Sequence, residues 1–518
     1  MWLSRRDLLR SVTLALGAVG AASVLGACGA ATNGATPVAD TTSRLPKSGG
    51  RLRAAFTGGG TAESLDPFTG QAPIDIVRNS AIFDPLFSLE NGEAVGRLAR
   101  LAEPAGDGRS FLLRLREGVT WHDGSPVTAQ DAAYTLRYLG SPERIYPSEL
   151  TGFIDFAGIE VRDVTTLHVP TVQPVGDPAL ILAAFMVKVI KDGTRSFTPE
   201  SVNGTGPYRV TSYEAGRETR LTRFTGYWDT PGAADELVLL SLTDPQAKAN
   251  AVLTGQADYT TDIPFTTAKT GAPGAGLEVR TAGERNRVGF GFVLNTTIPP
   301  FNDLRVRRAV RLALDRKALV DTVFLGFGTT GNDLFGHGAA YFSEREALRR
   351  DLEEARRLVR DAGAGGVPIT IRSAEYEIGF NSSTQLAAEQ LKEAGLDVRP
   401  DIVGVAEFYD PAAISAANAM TFSIGALPLP VLYARLASNP AFALTDPQLS
   451  AALAAGLGAL DEPSRIKAWA QVQDVMADRG NTVVWGLADT LSLARKDVVG
   501  VESRGLAKYP YLGRAGLA

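Results

Sequence analysis

The chain has 518 residues, 45% of them hydrophobic and 21% charged. That is too much chain for one hydrophobic core, which stops growing near ~250–300 residues, so two or three lobes are expected. Lys and Arg total 52 against 57 Asp and Glu, a net charge of −5 that speaks against a nucleic-acid-binding surface. The single cysteine, Cys28, excludes an intramolecular disulfide framework and a multi-thiolate metal site, and three histidines (His122, His168, His337) are too few for an all-imidazole one.

The first segment reads as an address. Ser4 to Arg10 is basic and carries the twin arginine Arg5-Arg6, and Ser11 to Ala27 then runs without a charge. This stretch, rich in Ala and Gly, is short and weakly apolar for a membrane-spanning helix, and suits the h-region of an export signal. The twin arginine favours the route that exports folded cargo. The run ends at Leu25-Gly26-Ala27-Cys28, which resembles a bacterial lipobox, so residues 1–27 are expected to be cleaved and Cys28 to carry lipid. Residues 28–49, polar with prolines, then read as a tether. The expected location is the outer face of the cell membrane, lipid-anchored.

The body alternates strands and helices, an α/β pattern. Gly50 to Phe56 predicts a strand followed by the glycines 58–60, and Phe111 to Arg116 predicts a second strand closed at Glu117-Gly118. Thr128 is placed to cap a helix to Leu139. Arg209 to Ser212 and Arg220 to Phe224 read as paired strands around Glu214-Ala215-Gly216. Asp315 to Leu325 predicts a helix stopped by Gly326. From Ala347 to Ala362, apolar residues at steps of three and four (Leu348, Leu352, Ala355, Val359, Ala362) predict another, stopped by Gly363. Strand Pro368–Arg372, helix Ser383–Ala394 and strand Leu396–Val403 form a β-α-β unit, which implies a right-handed crossover between parallel strands. Helix Ser464–Asp478 and strand Thr482–Gly486 complete the pattern.

Signals for catalysis are weak. Gly326 to Gly331 spells G-x-G-x-x-G, but a helix precedes it and a loop follows, the reverse of what places a pyrophosphate at a helix N-terminus. His122 beside Asp123 suggests an acid–base pair, yet adjacent residues in extended chain face opposite ways and Asp123-Gly124 signals a turn, so an exposed histidine at a strand end is expected. No nucleophile elbow, zinc-protease helix or phosphate loop occurs. No catalytic residue, metal ligand or cofactor is assigned.

Four stretches resemble the large extracellular solute-binding proteins of peptide-type ABC importers, the oligopeptide- and dipeptide-binding family 5. They are Ser64-Leu65-Asp66-Pro67, the run from Leu113 to Asp131 that includes Trp121-His122-Asp123-Gly124, Asn203 to Tyr208 with Tyr227-Trp228, and Asn295 to Arg316. The resemblance implies a periplasmic-binding-protein-like Venus flytrap of two ligand-binding lobes plus an extra, family-specific lobe. Lobe I would be built from 50–90, 205–295 and 485–518, lobe II from 91–204 and lobe III from 296–484, with crossings between the ligand-binding lobes near Asn295 and Trp485.

The same resemblance implies a monomeric binding subunit, not an enzyme. It would close on a peptide or peptide-like solute and deliver it to an ABC permease with its ATPase subunits. Peptide-binding members commonly place an acid in a W-x-x-D-Y-x-D-P-like stretch to hold the ligand's ammonium, whereas Thr421 to Pro430 here holds no acid. A blocked or cyclic peptide, a glycopeptide or an apolar small molecule is therefore expected to bind better than an ordinary free-amino peptide. The candidate ligand residues are Asp66, Phe68, Asn295, Glu375, Tyr376 and Trp485, each with a plain structural role as its alternative. A metal-chelate or haem binder of the same fold, a surface hydrolase and a protein-binding lipoprotein scaffold are the rival functions.

Overall fold

The structure, a computed structural model, describes residues 45–518 apart from 71, 143, 145–147, 272–275 and 439–440, together with the strand Val38–Ala39. Arg5, Arg6, the apolar run and Cys28 lie outside the described residues. No helix among the described residues is long and apolar enough to cross a membrane.

Three larger sheets organise the body. The first has eight strands. From edge to edge these are Val38–Ala39, Leu277–Thr281, Leu491–Arg495, Tyr259–Thr261, Arg51–Thr57, Glu236–Leu242, Glu218–Arg223 and Tyr208–Glu214. Arg51–Thr57 sits centrally with a parallel partner on each side, which suits its buried Leu52, Ala54, Ala55 and Phe56. The expected hairpin forms where Tyr208–Glu214 pairs antiparallel with Glu218–Arg223. The second sheet is antiparallel, in the order Ala99–Ala105, Ser110–Leu115, Thr166–Pro170, Glu160–Val161. Helix Ala129–Leu139 packs with it and is held at its start by the Asp131 carboxylate, which accepts from the Thr128 N–H at 2.8 Å.

The third sheet runs Gly328–Thr330, Thr482–Ala488, Val288–Leu294, Ala419–Ile424, Pro368–Ser373, Asp397–Ile402. Its last two strands are the expected parallel pair, joined through helix Phe380–Glu393. The helix read from Ala347 begins later, at Leu352, because the Asp351 carboxylate caps it by accepting from the Glu354 N–H. The glycine pattern at 326–331 contributes an edge strand, with no helix after it.

The chain passes from the first sheet to the third between Thr281 and Val288 and returns between Ala488 and Leu491. The crossings therefore lie beside these strand ends, not at Asn295 and Trp485. They are tied to each other: the Ala282 N–H donates to Thr490 O, the Thr490 hydroxyl to Asn286 O, and Arg287 Nε to Asp489 Oδ1 at 2.7 Å.

His122 is buried, against the sequence expectation of exposure. The turn after it forms as read, but the segment 203–206 folds over the ring. The Gly204 N–H donates to His122 Nδ1 at 3.3 Å, which leaves Nε2 to donate to Gly206 O at 2.9 Å. Arg209 donates to the His122 carbonyl, and Asn203 donates to Asp123 at 2.8 Å. Gly204 and Gly206 lie so close to the Ile82 and Ala81 carbonyls that a β-carbon at either would clash. Nearby, the buried Asp84 carboxylate accepts from Tyr227 OH and Trp228 Nε1, each at 2.8 Å. Two of the family-like stretches are thus one brace.

Candidate functional site

Two adjoining cavities, of about 480 and 370 Å³, lie against the C-terminal segment. They share Arg435, Gly505, Leu506 and Tyr509. The C-terminal segment reaches both because Leu491–Arg495 returns the chain to the first sheet, and Gly425 lets its backbone approach Leu506.

The smaller cavity is aromatic. Tyr376 packs on Phe408 and Tyr409 with ring centroids 5.0 and 5.7 Å away, and Phe422 adds a further wall. Glu377 and Lys508 meet in this cavity, Nζ to Oε1 at 2.5 Å, linking the loop after Pro368–Ser373 to the C-terminal segment. Burial raises the Glu377 carboxyl, while the attraction of that carboxylate outweighs burial at Lys508 and holds it protonated. The pair brings one charge of each sign, already satisfied.

The larger cavity has apolar walls that include Phe68, Leu139, Leu150 and Phe185. Arg144 stacks on Phe68 and Tyr138 and donates to Phe68 O at 2.8 Å. Arg435 pairs with Glu149 at 2.9 Å. Asn79 and Lys188, both buried, also line it.

The structure brings two of the six sequence candidates to these cavities: Phe68 to the larger and Tyr376 to the smaller. Asp66 spends its carboxylate on its own turn, accepting from the Phe68 N–H and Thr69 hydroxyl, and on Tyr138 OH at 2.8 Å. Asn295 donates to Ser415 O and Ala417 O and accepts from Thr297, tying a loop. Glu375 accepts from the Gly379 and Asn381 N–H groups, capping the start of helix Phe380–Glu393. Trp485 is fully buried, stacked on Phe324 at 4.8 Å.

Sequence reasoning missed Glu377, Lys508, Tyr409, Asn79 and Lys188. The alternation Glu375-Tyr376-Glu377 was a usable signal for the first. Glu377 brings an acid to the cavity that 422–426 also line, and pairs there with Lys508. Among the described residues no three of His, Cys, Asp or Glu gather as metal ligands.

The family model "Bacterial extracellular solute-binding proteins, family 5 Middle" matches residues 93–428. The glutathione-binding protein GsiB of Salmonella typhimurium is 24% identical over 356 residues, covering 66% of this chain and 67% of its own. In three dimensions the chain is similar to the periplasmic binding protein DppA from Helicobacter pylori in complex with the peptide STSA. That match has a TM-score of 0.76 and 17% identity, and covers 91% of this chain and 98% of DppA. NikA from Staphylococcus aureus in complex with Ni(L-His)2 also matches, with a TM-score of 0.72, 15% identity, and 91% and 100% coverage.

Proposed function

Because the chain belongs to the bacterial extracellular solute-binding proteins of family 5, a non-enzymatic component of ABC transporters, we propose that its paired cavities capture a peptide or peptide-like solute whose amino end is blocked. The observation that carries this reading is the Glu377–Lys508 pair in an aromatic-walled cavity. A free ligand ammonium seeking Glu377 must displace Lys508 and strand that cation, whereas a blocked N-terminus leaves the pair intact.

Lobe I (50–90, 205–295 and 485–518, less Val288–Leu294 and 485–488, which lie in the third sheet) and lobe III (296–484) close on the solute, with lobe II (91–204) flanking. Ligand shifts the open–closed equilibrium by its preference for the closed form, and the closed form docks on the permease. Residues 1–27 direct export, and the lipid on Cys28 holds the protein at the outer face of the membrane.

Isothermal titration with tri- to pentapeptides, each with a free and an acetylated N-terminus, tests the ligand reading. Blocked peptides are expected to bind at least as tightly. Tight binding that vanishes on acetylation would refute it.

A further inference from the structure

The larger cavity is lined by a polar side chain that has no partner among the described residues. Asn79, on helix Pro73–Ile82, is only 2% exposed and lines that cavity. Among the described residues neither its carboxamide oxygen nor its carboxamide nitrogen has a hydrogen-bond partner. Buried amides are normally satisfied, because one left unpaired forfeits its hydration with nothing in return. The neighbouring side chains are engaged elsewhere: Arg78 with Asp75, Glu63 and Ser64 O, and Ser80 with Ile76 O and Lys188.

Lys188 lines the same cavity. Its Nζ donates to Ser80 Oγ at 3.0 Å, which uses one of three N–H donors. Burial pushes its pKa down only to about 8, so it is a cation at neutral pH. Asn79 thus holds an acceptor and a donor on one amide, and Lys188, which lines the same cavity, brings an ammonium.

We infer that Asn79 and Lys188 form a subsite for an N-acylated α-amino acid, free or as the C-terminal residue of a peptide. In an extended residue the N–H and the C=O project to one side. The N–H would donate to Asn79 Oδ1, and the carboxylate would accept from Asn79 Nδ2 and from Lys188. The side chain would lie among the apolar residues that line the cavity. This rests on the solute-binding reading above and deepens it by assigning the acid end of the ligand to the larger cavity.

Calorimetric titration of the folded protein with N-acetyl-leucine and with Ala-Ala-Leu tests the inference, with N-acetyl-N-methyl-leucine and 4-methylpentanoate as controls. Wild type is expected to bind N-acetyl-leucine at least about tenfold more tightly than the N-methyl compound, which lacks the N–H. Asn79→Leu should erase that difference, and Lys188→Met should weaken both acids. Asn79→Leu should also keep or raise the melting temperature of the ligand-free protein, since it removes an unsatisfied amide. If Ala-Ala-Leu binds and N-acetyl-leucine does not, the subsite takes a peptide's C-terminal residue, provided Asn79→Leu weakens it. The inference is overturned if wild type binds neither probe, if the N-methyl compound binds equally well, or if Asn79→Leu melts lower. Binding that Tyr376→Ala abolishes and Asn79→Leu spares would leave the solute-binding reading standing and sink this one.

Discussion

His122 makes the stability of the brace depend on pH in a way that can be worked out. Burial, reinforced by the Arg209 cation, lowers its imidazole to about 4 from the usual 6.5. The geometry gives the same sign, because Nδ1 must stay unprotonated to accept from Gly204. Between these values the unfolded chain binds a proton that the native protein does not. Stability is therefore full above pH 6.5 and falls as the pH drops toward 4. At ~1.36 kcal/mol per unit the whole loss is about 3 kcal/mol, of which about 2 kcal/mol has gone by pH 5. Buried carboxyls raised by burial, such as Asp84 and Asp75, act in the opposite sense, so the measurement must be a difference. Wild type and His122→Gln would be unfolded in urea at pH 7.5 and pH 5, with hydrogen exchange at the Gly204 amide as a local readout. Wild type should lose about 2 kcal/mol more than the variant over that interval, and Gly204 should lose protection in wild type. Parallel losses in the two proteins, or an imidazole that titrates near 6.5 in the native state, would refute the argument.

Gly204→Ala should cost at least about 1–3 kcal/mol, read as a lower melting temperature, because its β-carbon meets the Ile82 carbonyl; an unchanged melting temperature contradicts the close approach. Lys508→Met leaves the Glu377 carboxylate buried without its partner and should cost about 3–5 kcal/mol in urea unfolding. The double variant with Glu377→Gln should recover most of that, and strictly additive losses would show that the pair does not act as a unit. In cells, Cys28→Ser should abolish lipid labelling and leave the protein outside the membrane-bound fraction, while replacing Arg5 and Arg6 by Lys should retain precursor in the cytosol.

Elements encoded by short-range chemistry were legible in the sequence. Thr128 capping Ala129–Leu139, the Glu214–Arg217 turn and the parallel pair around Phe380–Glu393 each rest on residues close together in the chain. The helix from Leu352 was read too long because Leu348 fits the apolar spacing; it is in fact 39% exposed, and the Asp351 cap decides the start. Trp485 belongs to Thr482–Ala488, whose seven residues are all buried; such continuous burial marks an interior strand, not a crossing. The site was hidden for a different reason. Glu377 and Lys508 are 131 residues apart, and only the return of the chain to the first sheet brings them together.

The stretches that carry the family resemblance build the frame more than the cavities. His122, Gly204, Gly206, Tyr227 and Trp228 brace the lobes around Ile82 and Asp84, and of the Ser64–Pro67 stretch only Pro67 reaches a cavity. The groups that would meet a solute sit elsewhere: Asn79 and Lys188 in one cavity, Tyr376, Glu377, Tyr409 and Lys508 in the other, and Arg435 between. Frame residues are constrained by backbone contacts that any ligand leaves unchanged, whereas cavity residues answer to the ligand alone. A match to a glutathione binder, a peptide binder or a nickel-chelate binder therefore carries the fold over to this chain, but not the cargo. What a solute would meet in these cavities is an acid already paired, an amide without a partner among the described residues, and aromatic walls.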